Sequence, residues 1–202
     1  MPFLSMTLFA AALSLAPGPV NLIILSTGVT HGARAALRFV VGATVGFTAL
    51  LVLTGLGLSA TRAFPEWVVD MISCLGALVI CYFGVQLIRA RGGFASHAVP
   101  IPGFWQGAAL QWMNPKAWIA SLSGVAMFGL QGDTWGLMQF AALYFAVCFV
   151  GIGLWAPLGE WLSKELNTPL RQRMFTITLG LCLIALALSL SAPAVARLLG
   201  LS

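Results

Sequence analysis

LAPGPVNL, residues 15–22, interrupts an apolar stretch long enough to cross a bilayer. Pro17, Gly18 and Pro19 are the residues an α-helix tolerates worst in its interior. The stretch is either a loop of a soluble domain or a break inside a membrane helix. The composition around it decides between the two.

Of 202 residues, 60% are hydrophobic and only 7% charged. A soluble domain carries roughly 25% charged residues, so this chain cannot clothe a water-facing surface and its solvent is lipid. The net charge of +5 does not indicate nucleic acid, because the basic residues lie in ones and twos between apolar runs. Cys74, Cys81, Cys148 and Cys182 all sit inside apolar runs without a CxxC and read as small packing residues. Neither a metal nor a cofactor is expected. The first 30 residues hold no Lys or Arg, so the charged n-region of a signal peptide is missing, and the stretch reads as an uncleaved first span.

A spanning helix needs about 20 mainly apolar residues. On that measure six spans are expected, near residues 3–28, 39–60, 68–88, 104–130, 135–158 and 174–196. Arg34, Arg38, Arg89, Arg91, Lys164, Arg171 and Arg173 fall in the connections on one side, against Arg62 and Arg197 on the other. The richer side is cytoplasmic by the positive-inside rule, which puts both termini outside. Trp67, Trp135 and Trp161 fall at span ends, where amphipathic rings settle. No hydrophilic segment exceeds a short loop, so function resides within the bilayer.

The fourth span carries its own interruption, QWMNPKAWIASLSG at residues 111–124. Set beneath residues 14–28, Gly124 matches Gly28 and Pro115 matches Pro19, both at an offset of 96. The chain therefore reads as two three-helix units, about 1–92 and 103–202, in one transmembrane domain. Three is odd, so the units enter the membrane from opposite sides. Paired interruptions in such inverted repeats point to a transporter's binding site.

Proline has no N–H, so Pro17 and Pro19 are expected to free the carbonyls of Leu13 and Leu15, and Pro115 that of Gln111. Each following half-helix starts with unsatisfied N–H groups and a positive dipole end. Asn114 is a good N-cap ahead of Pro115. Such ends suit a carboxylate and freed carbonyls an ammonium, and an amino acid carries both groups. Lys116 is the basic residue well inside a span, where a cation costs on the order of 3 kcal/mol. Its readings are a partner for a substrate carboxylate, or a side chain snorkelling or pairing with a freed carbonyl. Asn21 is polar and lies just beyond the first break. Asp70 and Glu160 fall at span ends. Gly42 and Gly46, with Gly55 and Gly57, read as helix-packing positions.

PGPVNL, the glycines of GARAALRFVVGATVGF and GLGL, LGALVICYFGVQLIRA and GFWQGAALQWMNPKAW together resemble the LysE/RhtB family of bacterial amino-acid exporters. The likeness is densest over residues 15–125. It implies a multi-pass transporter of the bacterial inner membrane that expels amino acids or close derivatives, driven by the proton gradient. Its signature residues map onto Pro17, Gly18, Pro19, Asn114, Pro115 and Lys116. Relatives often place a His near the position of Thr48, and this chain does not. With few acids in the spans, a neutral substrate of the homoserine, threonine or leucine type is expected over lysine. The expected partners are that small molecule and lipid, and a homo-oligomer is left open. The alternative is a transmembrane thiol-electron carrier, a class also built from two three-helix repeats, with Cys74 and Cys182 in corresponding spans.

Overall fold

The computed structural model describes residues 2–57, 66–89, 100–166 and 168–198. Every regular element among them is an α-helix. Helices α1 (Pro2–Leu15) and α2 (Pro19–His31) are bent by 59° at the Pro-Gly-Pro break. Helix α3 runs Ala33–Gly57 and α4 Glu66–Arg89. The second break separates α5 (Phe104–Trp112) from α6 (Pro115–Met127). Helices α7 (Thr134–Gly153), α8 (Trp155–Glu165) and α9 (Pro169–Leu198) complete the chain.

Among the described residues three stretches are long and apolar enough to cross a membrane: Ala33–Gly57, Thr134–Glu165 and Pro169–Arg197. The bent pair Phe3–Leu15 and Pro19–His31 makes a fourth if taken as one span. The expected fifth span, ending near 158, extends to Glu165 with a local interruption at Leu154. Pro157 cannot donate to the carbonyl of Gly153, so α7 stops there and α8 restarts with its proline in the first turn. Residues 58–65, and with them Arg62, lie outside the described part, as do Arg91 and the side chain of Trp67.

The outward surface is apolar. Leu4, Leu8, Leu53, Leu78, Ile119 and Leu188 are each more than half exposed. So many large apolar side chains facing out are what lipid contact requires. Trp135 is exposed at the start of α7 and Trp161 in the second half of α8.

Helix α3 forms the centre of the core, with Phe39, Val40, Ala43, Phe47, Leu50 and Leu51 buried. It packs on α5, α6 and α7. Its approach to α5 is backbone to backbone: a Cβ on Gly42 would strike the carbonyl of Phe104, one on Gly46 would lie 2.7 Å from Ala108 Cα, and one on Gly107 would strike the carbonyl of Phe39. Small residues are what allow this distance in lipid. Gly55 packs on Leu137.

Helices α4 and α9 run antiparallel and are tied at both ends. Arg197 makes a forked ion pair with Asp70, with Nη2 to Oδ1 at 2.6 Å and Nε to Oδ2 at 3.1 Å. At the other end Arg173 Nη1 donates to the carbonyl of Ile88 at 2.5 Å. Between them Gly84 and Gly180 touch. A Cβ on Gly84 would lie 2.8 Å from the Gly180 carbonyl and 2.8 Å from Ile184, and one on Gly180 would lie 2.6 Å from the Gly84 carbonyl and 2.7 Å from Ile88. Both pairs, Gly84 with Gly180 and Ile88 with Ile184, are 96 residues apart.

The turn from α2 into α3 needs Gly32, whose φ of +83° is strained for any residue with a Cβ. Glu160 Oε2 then accepts from the Ala33 N–H at 2.8 Å, which caps α3 and favours a carboxylate at that helix end. Glu160, expected at a span end from the sequence, thus ties α8 to the start of α3.

Candidate functional site

The two breaks meet. Gly18, the N-cap of α2, is extended, with φ −171° and ψ 176°, a conformation open to any residue. Its smallness matters for a different reason: a Cβ there would lie 3.3 Å from Lys116 Nζ and 3.5 Å from Lys116 Cδ. Lys116 belongs to α6, so the half-helix of the second break reaches into the loop of the first.

The polar groups exposed by the first break are held by side chains. Asn21 is buried, and its Nδ2 donates to the carbonyls of Ser14 at 2.8 Å and Ala16 at 3.0 Å. Lys116 Nζ donates to the same Ala16 carbonyl at 2.8 Å. In hydrocarbon such carbonyls require protein partners, and a hydrogen bond from a charged donor is worth about 1.5–3 kcal/mol. The carbonyls that receive these donors are those of Ser14 and Ala16, not the expected Leu13 and Leu15. Asn21 folds back over the end of α1 and selects the carbonyls within its reach.

The second break closes differently. Asn114 Oδ1 accepts from the Lys116 N–H at 3.1 Å, as the Asn-Pro sequence led one to expect. The Gln111 carbonyl is not left open: it accepts from the Asn114 N–H at 3.3 Å, because the end of α5 tightens into a shorter turn. Trp118 Nε1 donates to the Trp112 carbonyl at 2.8 Å. Ala16 and Trp112 are themselves 96 residues apart, so equivalent carbonyls are capped by unrelated side chains.

A cavity opens at this junction. It contains about 400 Å³ of atom-free space, of which about 40 Å³ is wide enough for water. Of the residues expected from the sequence, Gly18, Pro19, Asn21, Asn114 and Lys116 line it. Pro17 and Pro115 do not, and they shape the breaks from behind. Ser14, Gln111, Phe47, Tyr144 and Cys148 also line it, and sequence reasoning did not single out their side chains. Phe47 and Tyr144 stack at 4.4 Å between ring centroids and form an aromatic wall. Ser14 Oγ is buried and has no hydrogen-bond partner.

The electrostatics are one-sided. The N-termini of α2 and α6 and the Lys116 ammonium face the cavity, and no Asp or Glu lines it. The first N–H groups of α6 are taken by Asn114, so what favours an anion here is the positive dipole end of the helices together with the cation. The Ala16 carbonyl supplies the complementary acceptor. The four cysteines are free, and of them only Cys148 lines the cavity. Among the described residues no cluster of His, Cys, Asp or Glu could hold a metal.

A chain of apolar helices with two broken members meeting at a cavity that mixes apolar walls with Asn21, Asn114 and Lys116 has the form of a membrane transporter. Residues 11–192 match the family described as LysE type translocator, and the chain belongs to it. It is similar to the cysteine/O-acetylserine efflux protein of Klebsiella pneumoniae, at 29% identity over 166 residues that cover 80% of this chain and 82% of that protein. It is also similar to the protein of the same description from Salmonella typhimurium, at 27% identity over 176 residues, 85% of this chain and 88% of the relative. An uncharacterized membrane protein of Vibrio cholerae is 32% identical over 89 residues, 44% of this chain and 43% of its own length. No solved structure matches.

Proposed function

We propose that this protein exports small neutral amino acids or close derivatives from the cytoplasm across the bacterial inner membrane, as a secondary transporter driven by the proton gradient. The observation that carries the reading is the convergence of two helix N-termini and Lys116 on one cavity that no carboxylate lines. The substrate carboxylate meets Lys116 and the start of α6. Lys116 then leaves the Ala16 carbonyl, which takes up the substrate ammonium beside Asn21. A dibasic substrate finds no counter-charge for its side chain. The relatives named for cysteine and O-acetylserine efflux put these two beside homoserine, threonine and leucine as the first substrates to test.

The architecture we propose is six spans in two inverted three-helix repeats: α1–α2, α3 and α4, then α5–α6, α7–α8 and α9. The reciprocal seating of Gly84 on Gly180, with Ile184 and Ile88 in equivalent roles, supports it, since residue i meeting j as j meets i is the mark of a two-fold axis. One repeat rocks against the other around the breaks. The narrow cavity is the occluded stage of that motion, and both termini lie outside.

The test is export from cells loaded with dipeptides, following each free amino acid as it leaves, with this protein and with an empty vector. Faster efflux of a neutral amino acid is expected. Efflux equal to the empty vector for every amino acid contradicts the reading, and lysine leaving faster than threonine, leucine or cysteine contradicts the neutral substrate class.

A further inference from the structure

We infer that the Ser14 hydroxyl is the group that reads the substrate's side chain, and that it selects amino acids with a hydroxyl, thiol or ester oxygen over aliphatic ones of the same size. The inference rests on the export reading and adds the specificity residue to it.

Ser14 lies in α1 just before the first break. It is 5% exposed, and its Oγ has no hydrogen-bond partner. That is unusual within this chain. Helical hydroxyls here ordinarily bond the carbonyl one turn back: Thr44 to Val40 at 2.9 Å, Thr48 to Thr44 at 2.9 Å, Thr27 to Ile23 at 2.8 Å and Ser191 to Ala187 at 3.0 Å. Such back-bonding is the default for Ser and Thr in membrane helices. A buried hydroxyl that forgoes it carries an unmet hydrogen-bonding capacity, and in low-dielectric surroundings that is costly.

The position of Ser14 is fixed from two sides. Its carbonyl is held by Asn21 Nδ2 at 2.8 Å. Its Cβ lies where a Cβ on Gly151 of α7 would come within 2.8 Å, so α7 presses on it without a side chain between. The hydroxyl lines the same cavity as Lys116, Tyr144 and Cys148; the Tyr144 hydroxyl and the Cys148 thiol lie within interaction range of it, yet no hydrogen bond closes on it. An amino acid whose carboxylate is held by Lys116 and whose ammonium is held by the Ala16 carbonyl has one group left, its side chain. Ser14 is the buried polar atom of this cavity still lacking a partner. A site built to hydrogen-bond a polar group discriminates against analogues that lack it, because its own group is then left unpaired.

The experiment uses the purified full chain in proteoliposomes. Transport is compared for two pairs that differ by one polar group, serine with alanine and cysteine with 2-aminobutyrate. Wild type, Ser14→Ala and Ser14→Cys are reconstituted at matched amounts, with thermal unfolding recorded for each. Wild type is expected to favour the polar member of each pair. Ser14→Ala is expected to lower transport of the polar member by roughly three- to tenfold, the value of one neutral hydrogen bond, and to leave the aliphatic member unchanged. Ser14→Cys, which keeps a weak donor, is expected to retain part of the preference. Equal slowing of both members by Ser14→Ala, or no change in the ratio, overturns the inference while leaving export standing. Wild type that moves none of the four above empty liposomes overturns the export reading and this inference with it.

Discussion

Lys116 Nζ lies 2.8 Å from the carbonyl oxygen of Ala16, one hundred residues earlier in the chain. This bond joins the two helix breaks. It places a cation at the first turn of α6, where the helix dipole opposes it. A carbonyl freed by one break accepts it, and Gly18 makes the room.

Asn21 performs the work of a cap for a helix that has lost its next turn. Substituting it with Ala withdraws the donor from the Ser14 and Ala16 carbonyls, a loss of about 2 kcal/mol for leaving buried acceptors underserved. Removing the Asn114 cap by Asn114→Ala costs about 1 kcal/mol. Thermal unfolding in detergent is expected to rank Asn21→Ala as the less stable variant. The reverse ranking shows that Asn21 is not what secures the end of α1.

Gly84 and Gly180 sit in mutual contact, each against the other's carbonyl. Gly84→Ala and Gly180→Ala are each expected to cost about 1–3 kcal/mol by overpacking, with similar values for the two. The double variant is expected to cost less than their sum, because α4 and α9 need separate only once. Gly153→Ala, where a Cβ meets Val40 at an ordinary 3.8 Å, is the control and leaves stability within a few tenths of a kcal/mol. Strongly unequal costs at the two glycines contradict the two-fold arrangement.

The sidedness can be read by chemical labelling. In a protein lacking its native cysteines, Gln131→Cys lies at an exposed position between α6 and α7, and Lys164→Cys at an exposed position near the end of α8. A membrane-impermeant maleimide added to intact spheroplasts is expected to label position 131 and spare position 164 until the cells are opened. The opposite pattern inverts the topology and turns the proposed direction of transport around.

Both breaks were legible in the sequence because proline and glycine act locally: Pro17 to Pro19 and Asn114–Pro115 end and restart helices whatever surrounds them. Lys116 was legible because a charge within an apolar run is costly and needs a reason. Its partner was not, since nothing local says that residue 116 meets residue 16. The exchange of Ser14 and Ala16 for Leu13 and Leu15 as the carbonyls that receive donors follows from where Asn21 folds back, and that depends on the 59° bend. Cys148 read as an ordinary packing residue, and Ser14 and Tyr144 drew no reading, for a lone thiol or hydroxyl in a membrane helix carries no signal by itself. What sets Ser14 apart is a missing bond, and absence of a bond leaves no trace in composition or spacing. Gly84 and Gly180 could have been found by extending the offset of 96 beyond the two breaks.

The central claim is that an amino acid is held at the junction of the two breaks with its carboxylate on Lys116. The most direct test is counterflow of labelled cysteine in proteoliposomes, for wild type and Lys116→Met at equal reconstitution, with unlabelled cysteine or its decarboxylated amine as competitor. Loss of a charged hydrogen bond predicts transport lowered by about ten- to a hundredfold in Lys116→Met, and a wild-type protein that unlabelled cysteine inhibits but the amine does not. Wild-type rates in Lys116→Met, or inhibition by the amine as strong as by cysteine, would contradict the account.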